Sequence, residues 1–177
     1  NLQKYRDKGR SGMTATPDEL FSFLAGLGIK TETVSHPPLR TVADSQALRG
    51  QISGAHTKNL FLKDRKGAHF LVTLDEDAVT DLKTIHTVIG AAGKVSFGNA
   101  EMLMQLLGVS PGAVTPFGLI NDKDGRVKVI FDESLMANAV INAHPLNNEQ
   151  TTSIARKDLE SFCRASGHEP HVLKVSG

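Results

Sequence analysis

Three stretches of this 177-residue chain carry residues that could do chemistry: a lysine opening an apolar run, a small-residue loop ending in proline, and a histidine before another proline. In "GAHTKNLFLKD", Lys58 and Asn59 stand at the entrance to an apolar strand. A long cationic side chain there can hold an anion in a cleft beside the sheet, and the same position equally suits a solvated edge lysine. In "SPGAVTPFG", Gly112, Ala113, Val114, Thr115 and Pro116 form a short stiff loop. Such a loop is either punctuation or a wall that turns backbone N–H and C=O groups toward a ligand. Gly112 would permit a close approach or a positive φ, and Pro116 would fix the far end near a φ of about −65°. In "NAHPLNNEQTTSI", His144 ends a strand and is followed by polar residues able to line the same cleft.

Other chemistries lose their support. The chain has no phosphate-binding glycine loop, no His-Glu-x-x-His run and no G-x-S-x-G elbow. It holds seven histidines, but His36, His56, His69, His86 and His144 fall on different elements without helical pairing to a carboxylate, so no metal site is expected. Cys163 is the one cysteine and lies beside Phe162 in an amphipathic helix, where it reads as a small buried hydrophobe rather than a nucleophile.

Composition sets the frame. A hydrophobic share of 40% with 22% charged residues, and no run near the roughly eighteen apolar residues of a membrane span, describes a soluble domain with one core. A lone cysteine and no apolar leader point to a reducing cytoplasm. The formal charge of +1 is an end effect. Residues 1–12, "NLQKYRDKGRSG", carry four bases and one acid, leaving 16 basic against 18 acidic groups over 13–177. This leader is read as a vector-derived or disordered segment before a single domain spanning 13–177.

The elements that must position these residues read as one mixed α/β domain. "TPDELFSFLAGLGI" is a helix with Thr16 as cap, Pro17 in its first turn, a stripe of Leu20, Phe21, Leu24 and Leu27, and Gly28 as its stop. "TETVSHPP" is a short strand and "TVADSQALRG" a short helix. "TKNLFLKDRKGAHFLVTL" is two strands around a charged turn at Gly67. "AVTDLKTIHTVIG" and "NAEMLMQLLG" read as helices. "FGLIND", a turn over Asp122–Gly125 and "RVKVIFD" read as a second hairpin. Strands "AVINAHP" and "QTTSI", the helix "ARKDLESFCRASG" and a last strand "HVLKV" complete the order.

Taken together, "SHPPLRTVADS", "GAHTKNLFLKD", "VSPGAVTPFGLIND" and "NAHPLNNEQTTSI" resemble the characteristic stretches of the freestanding bacterial Ala-tRNA(Pro) deacylases, the ProX or PrdX group. These are relatives of YbaK and of the editing domain inserted in bacterial prolyl-tRNA synthetases. The resemblance runs from about Thr16 to Val175. It implies the YbaK-like fold, a mixed and largely antiparallel sheet with flanking helices. It implies hydrolysis of the ester joining alanine to the terminal adenosine of tRNA(Pro), with prolyl-tRNA synthetase as a transient partner, no cofactor and no membrane.

Lys58 matches the family's essential lysine, expected to hold the phosphate or ribose of that adenosine. Gly112 to Pro116 matches the loop expected to press against the aminoacyl ester, and His144 matches a pocket histidine expected to shape the alanine site. Asn59 is carried over beside the lysine. Lys63, Arg65 and Lys66 form a local basic group that could meet the tRNA, since the −2 charge over 13–177 gives no global attraction for RNA. Two alternatives remain open: a sister deacylase for another mischarged tRNA such as Cys-tRNA(Pro), and a non-catalytic module binding an amino acid or nucleotide. The scattered histidines predict metal-independent hydrolysis. Activity should survive a chelator, and loss restored by zinc would overturn this expectation.

Overall fold

The computed structural model describes residues 14–39 and 41–177, so the leader expected at residues 1–12 lies outside the described residues. Helix α1 (Pro17–Gly26) starts as its sequence requires: Thr16 accepts from the Glu19 amide at 3.2 Å, and Pro17 occupies a position that needs no amide donor. Its inward face is Leu20 and Leu24 with Phe23 alongside. Leu27, expected in that stripe, lies past the helix end and is 42% exposed.

Strand β1 (Thr31–Ser35) is followed by α2 (Val42–Arg49), which Thr41 and Asp44 close with a reciprocal capping box. Strands β2 (Ala55–Lys63) and β3 (His69–Asp75) form the long hairpin read from the sequence. Its turn is organised by Asp64, whose carboxylate accepts from the Ala92, Lys66 and Ala68 amides. The bond from Ala92, with those from Ala68 and Lys66, holds this carboxyl below its ordinary pKa. Then come α3 (Ile85–Ile89), β4 (Ser96–Phe97), α4 (Ala100–Leu107), β5 (Val127–Asp132), β6 (Val140–Ala143), β7 (Gln150–Ala155), α5 (Arg156–Ala165) and β8 (His171–Leu173).

Two elements differ from the sequence reading. The helix expected over "AVTDLKTIHTVIG" occupies only Ile85–Ile89, because the Asp81 carboxylate accepts the Lys83 amide and makes a local turn instead. "FGLIND" is not the first strand of a hairpin. Pro116–Asn121 is a 3₁₀ helix, started by Thr115, whose hydroxyl accepts the Phe117 amide at 3.3 Å. Gly118 lets this turn rest on α4: a Cβ there would stand 2.9 Å from the Leu107 carbonyl. The Asp122–Gly125 turn does form, but it delivers β5 into parallel pairing with β3.

The sheet runs in the order β1-β7-β6-β2-β3-β5-β8, with β4 paired to β2. Antiparallel pairings are β1/β7, β6/β7, β2/β3 and β2/β4, and parallel ones are β2/β6, β3/β5 and β5/β8. Both faces are covered. On one, Leu71, Val129 and Phe131 pack with Leu20, Leu107, Phe117 and Phe162 from three helices and the 3₁₀ turn. On the other, Leu62, Phe70, Val72, Leu74 and Ile130 pack with Ile85, Ile89 and Val175. This period-two alternation of β3 fixes its register against both layers. Cys163 is fully buried in the larger layer, where burial pushes its thiol up to about 12, so it packs as a small apolar group. No helix among the described residues is long and apolar enough to cross a membrane.

A buried hydrogen bond ties the second turn to the end of α5. His168 Nε2 donates to Asp122 Oδ2 at 2.8 Å, and both side chains are 2% exposed. Asp122 also accepts the Arg126 and Val127 amides. Burial raises its pKa, but the His168 and backbone bonds outweigh that and leave it below its ordinary 3.8. Such a group stabilises the fold above the unfolded pKa, and the contribution disappears as pH falls through the lower folded value. Thermal scans should therefore show a steepening loss below about pH 4. Asp122→Ala should cost about 3 kcal/mol at neutral pH, because it leaves a buried histidine and two amides without their acceptor.

Candidate active site

The site is built where the sheet parts. Strand β2 pairs with β6 only at Ala55 and His56, and with β4 only at Leu62 and Lys63. Between them no described strand pairs with that edge of Lys58, Asn59 and Leu60, so their outward backbone groups are left for other partners. The parting point is fixed by Asn142, which is buried. Its amide donates to the Ser53 carbonyl at 2.9 Å, its carbonyl side accepts from the Ser153 hydroxyl, and its backbone carbonyl accepts from Thr57 at 2.8 Å.

Asn59 links β2 to the small-residue loop. Its Nδ2 donates to the Val114 carbonyl at 3.0 Å, while its Oδ1 accepts from the Thr73 hydroxyl at 2.6 Å. Lys58, its neighbour on the strand, leaves on the opposite face, and its ammonium donates to the Ala78 carbonyl. The structure therefore brings Asn59, not Lys58, against the loop. Lys58 instead ends at Ala78, which lines a cleft of about 420 Å³ with Asp75, Asp77, Val79, Ser134 and Ser176.

The loop is only partly available to a ligand. Ala113, Thr115 and Pro116 are buried in the body of the protein, whereas Gly112 is exposed and Val114 half-buried. Gly112 lies in a 3₁₀ turn (Pro111–Ala113) without a positive φ, so the left-handed backbone envisaged for it is not required. An added Cβ would meet only Asn148 Nδ2, at 3.7 Å. That contact also shows the turn after His144 reaching the loop. The turn contains Leu146, held at a φ of +70°, a strained choice for a branched residue.

His144 is half-buried, and its Nδ1–H donates to the Gln150 carbonyl at 3.1 Å. A carbonyl can only accept, which places the proton on Nδ1. Burial lowers the His144 pKa below its ordinary 6.5, with the nearby His36 and His56 acting in the same direction and Glu76 and the Gln150 carbonyl opposing. The ring is therefore neutral at pH 7, and its Nε2 is an acceptor for a hydroxyl or ammonium group. The His36 ring centroid lies 6.5 Å away, its own nitrogens held by the Pro37 carbonyl and the Thr151 hydroxyl. Glu76 accepts from the Ser45 hydroxyl of α2, and its amide donates to the His56 carbonyl at 2.8 Å. Thus β1, α2, β2, the end of β3 and the turn after β6 all meet here.

Glu76 and Ser45 went unmarked in the sequence. Glu76 lies in none of the quoted stretches and Ser45 ends "SHPPLRTVADS" with no role assigned to it, and only the closing of α2 over the β3 end joins them to His144. His69 and His86 stand elsewhere, and no group of three metal-ligating side chains exists among the described residues. Lys63, Arg65 and Lys66 are exposed at the far end of β2.

A family model described as aminoacyl-tRNA editing domain matches residues 36–162, the span that holds every one of these groups. The chain belongs to the aminoacyl-tRNA editing domain family. It is 36% identical over 150 residues to the prolyl-tRNA editing protein ProX of Acetoanaerobium sticklandii, covering 84% of this chain and 91% of that one. Over 159 residues it is 33% identical to the mouse (Mus musculus) prolyl-tRNA synthetase associated domain-containing protein 1, covering 88% and 94%. A solved structure named as a trans-editing enzyme for prolyl tRNA synthetase superposes with a TM-score of 0.65 at 18% identity, covering 92% and 99%, and shares the fold. The editing domain is accordingly a deacylase of aminoacyl-tRNA, a hydrolase built on a mixed sheet.

A His144 pKa held below its ordinary 6.5 keeps the ring mostly neutral at pH 7 and above, so hydrolysis is expected to be flat in its imidazole contribution from about pH 7 to 8. As pH drops through the folded value the ring becomes charged, stability is lost, and the rate should fall with it. His144→Gln should remove this acid limb from the pH profile. Asn59→Ala should lower kcat/KM about tenfold or more by freeing the Val114 end of the loop, at a stability cost of about 1–2 kcal/mol.

Proposed function

We propose that this editing domain hydrolyses the ester between alanine and the 3′-terminal adenosine of mischarged tRNA(Pro), in trans to prolyl-tRNA synthetase and in the cytoplasm. The observation that carries the reading is the approach of the turn after His144, whose ring is neutral, to the Asn59-anchored loop at the parted sheet, in a chain 36% identical to a prolyl-tRNA editing protein. In this reading Gly112 and Val114 give the exposed wall against the aminoacyl group, while Ala113, Thr115 and Pro116 hold that wall from behind. His144 Nε2 accepts from the substrate's hydroxyl or ammonium group. The Lys58 ammonium exchanges the Ala78 carbonyl for the anionic or ribose end of the adenosine.

The chemistry asks little of side chains. A water adds to the ester carbonyl, the ester C–O bond breaks, and the products are free alanine and the tRNA 3′-hydroxyl. Preorganised dipoles aimed at the developing oxyanion supply most of the acceleration. The unpaired β2 edge and the loop provide such dipoles without metal. A synthetase pocket shaped for proline discriminates against a smaller side chain by only about 1–3 kcal/mol, so a second pocket that excludes the larger ring is useful.

The test is the hydrolysis rate of alanyl, cysteinyl and prolyl esters on one tRNA. Wild type should prefer alanine and spare proline. A cysteinyl preference would favour the sister deacylase, and no turnover of any ester would favour a binding module. Lys58→Ala should reduce the alanyl rate about a hundredfold or more with a stability change near 1 kcal/mol or less. Gly112→Ala should slow alanyl turnover by crowding the wall, and His144→Ala should weaken discrimination against larger esters. Unchanged rates in all three variants would place the reaction elsewhere.

A further inference from the structure

One surface outside the site combines an exposed aromatic ring with a one-sign charge field. Phe97 of β4 is 59% exposed. It pairs with Leu62, whose side chain belongs to the smaller core layer, so Phe97 lies on the face of β2 that also carries Lys58. Four residues of strand separate Lys58 from Leu62, a rise of about 13 Å.

Cations lie in the segments that flank Phe97, although Lys63, next to Leu62 on β2, turns to the opposite face beside His69. Lys63 pairs with Ser96, and Arg65 lies over Gly93, where an added Cβ would be 3.7 Å from its guanidinium carbon. Lys66 and Lys94 are exposed beside them. The acidic residue of this turn, Asp64, is buried with its carboxylate spent on three backbone amides. No other acid occurs in 60–74 or 88–100. This concentration of positive charge stands out in a chain whose residues 13–177 sum to −2.

Resting on the editing reading above, we propose that Phe97 is a stacking platform for an unpaired nucleobase of the tRNA 3′ end, with Arg65, Lys66 and Lys94 neutralising the adjoining phosphates. An aromatic ring stacks on any base, and lysines and arginines beside it track the backbone. The separation from Lys58 corresponds to about two nucleotides of single strand, so the terminal adenosine at Lys58 places a preceding base over Phe97. A paired stem cannot present that base. The platform therefore recognises the single-stranded overhang and the cations recognise charge.

The experiment uses uncharged RNA, so it does not depend on turnover. Two acceptor minihelices are compared, one ending in a four-nucleotide single-stranded 3′ overhang and one blunt. Wild type should bind the overhang form more tightly. Phe97→Ala should lose about tenfold on the overhang form alone, and Phe97→Trp should retain the preference. A Lys66→Glu/Lys94→Glu double variant should weaken both RNAs and flatten the salt dependence. Equal binding of the overhang form by wild type and Phe97→Ala overturns the platform, as does an equal loss on both RNAs. A change in sedimentation for Phe97→Ala with RNA binding intact assigns the face to a protein contact and also overturns it. Alanyl-ester turnover by wild type alongside any of these failures would leave the editing reading standing, whereas absence of both turnover and RNA binding would remove that reading itself.

Discussion

The site depends on one strand being incompletely paired. A buried strand normally satisfies both of its edges, because unpaired amides and carbonyls are costly away from water. β2 is bound along its length to β3, but on its other edge it meets β6 for two residues and β4 for two more. The gap between those contacts exposes a short length of backbone inside an otherwise regular sheet. Asn59 sends its side chain from this length to the loop, and Lys58 sends its own to the opposite face.

Such a gap would close or slip unless its margins were fixed. Asn142 fixes one margin by bridging Ser53, Ser153 and Thr57. The loop margin is fixed from behind: Thr115 is fully buried, Phe117 fills the core, and Gly118 allows contact with α4. Further out, Asp122 with His168 secures the entry to β5. Asp132 does the same for the chain's end, accepting the Val175 and Ser176 amides. These are buried, hydrogen-bonded polar groups whose value lies in holding one geometry rather than in net stability. The exposed parts of the site, Gly112 and the half-buried Val114 and His144, are thus carried on a frame they do not themselves build.

Much of this could be read from residue order. The cap and proline of α1, the charged turn of the long hairpin and the amphipathic pattern of α5 are local signals, and each dictated its element because no distant contact had to be known. The mixed sheet and the editing-domain family followed from the resemblance carried by four short stretches. One failure is a local turn at Asp81 that shortens a helix, and the other is a local pattern overruled from a distance. "FGLIND" alternates like a strand, but the Thr115 cap and the closeness of α4 make it a 3₁₀ helix, and the apparent hairpin becomes a parallel entry to β3.

What the tertiary structure alone decided is which of the marked residues meet. Lys58 and Asn59 are adjacent in sequence, so a strand must send them to opposite faces, yet only the folded chain shows that Asn59 takes the loop and Lys58 the cleft beside Ala78. The sequence determined that His144 ends a strand before Pro145. The neutral state of its ring comes from burial, the place of its proton on Nδ1 from a carbonyl six residues on, and its neighbours His36, His56 and Glu76 arrive on three other segments. Local chemistry is written residue by residue, whereas protonation and contact depend on packing between segments far apart in the chain.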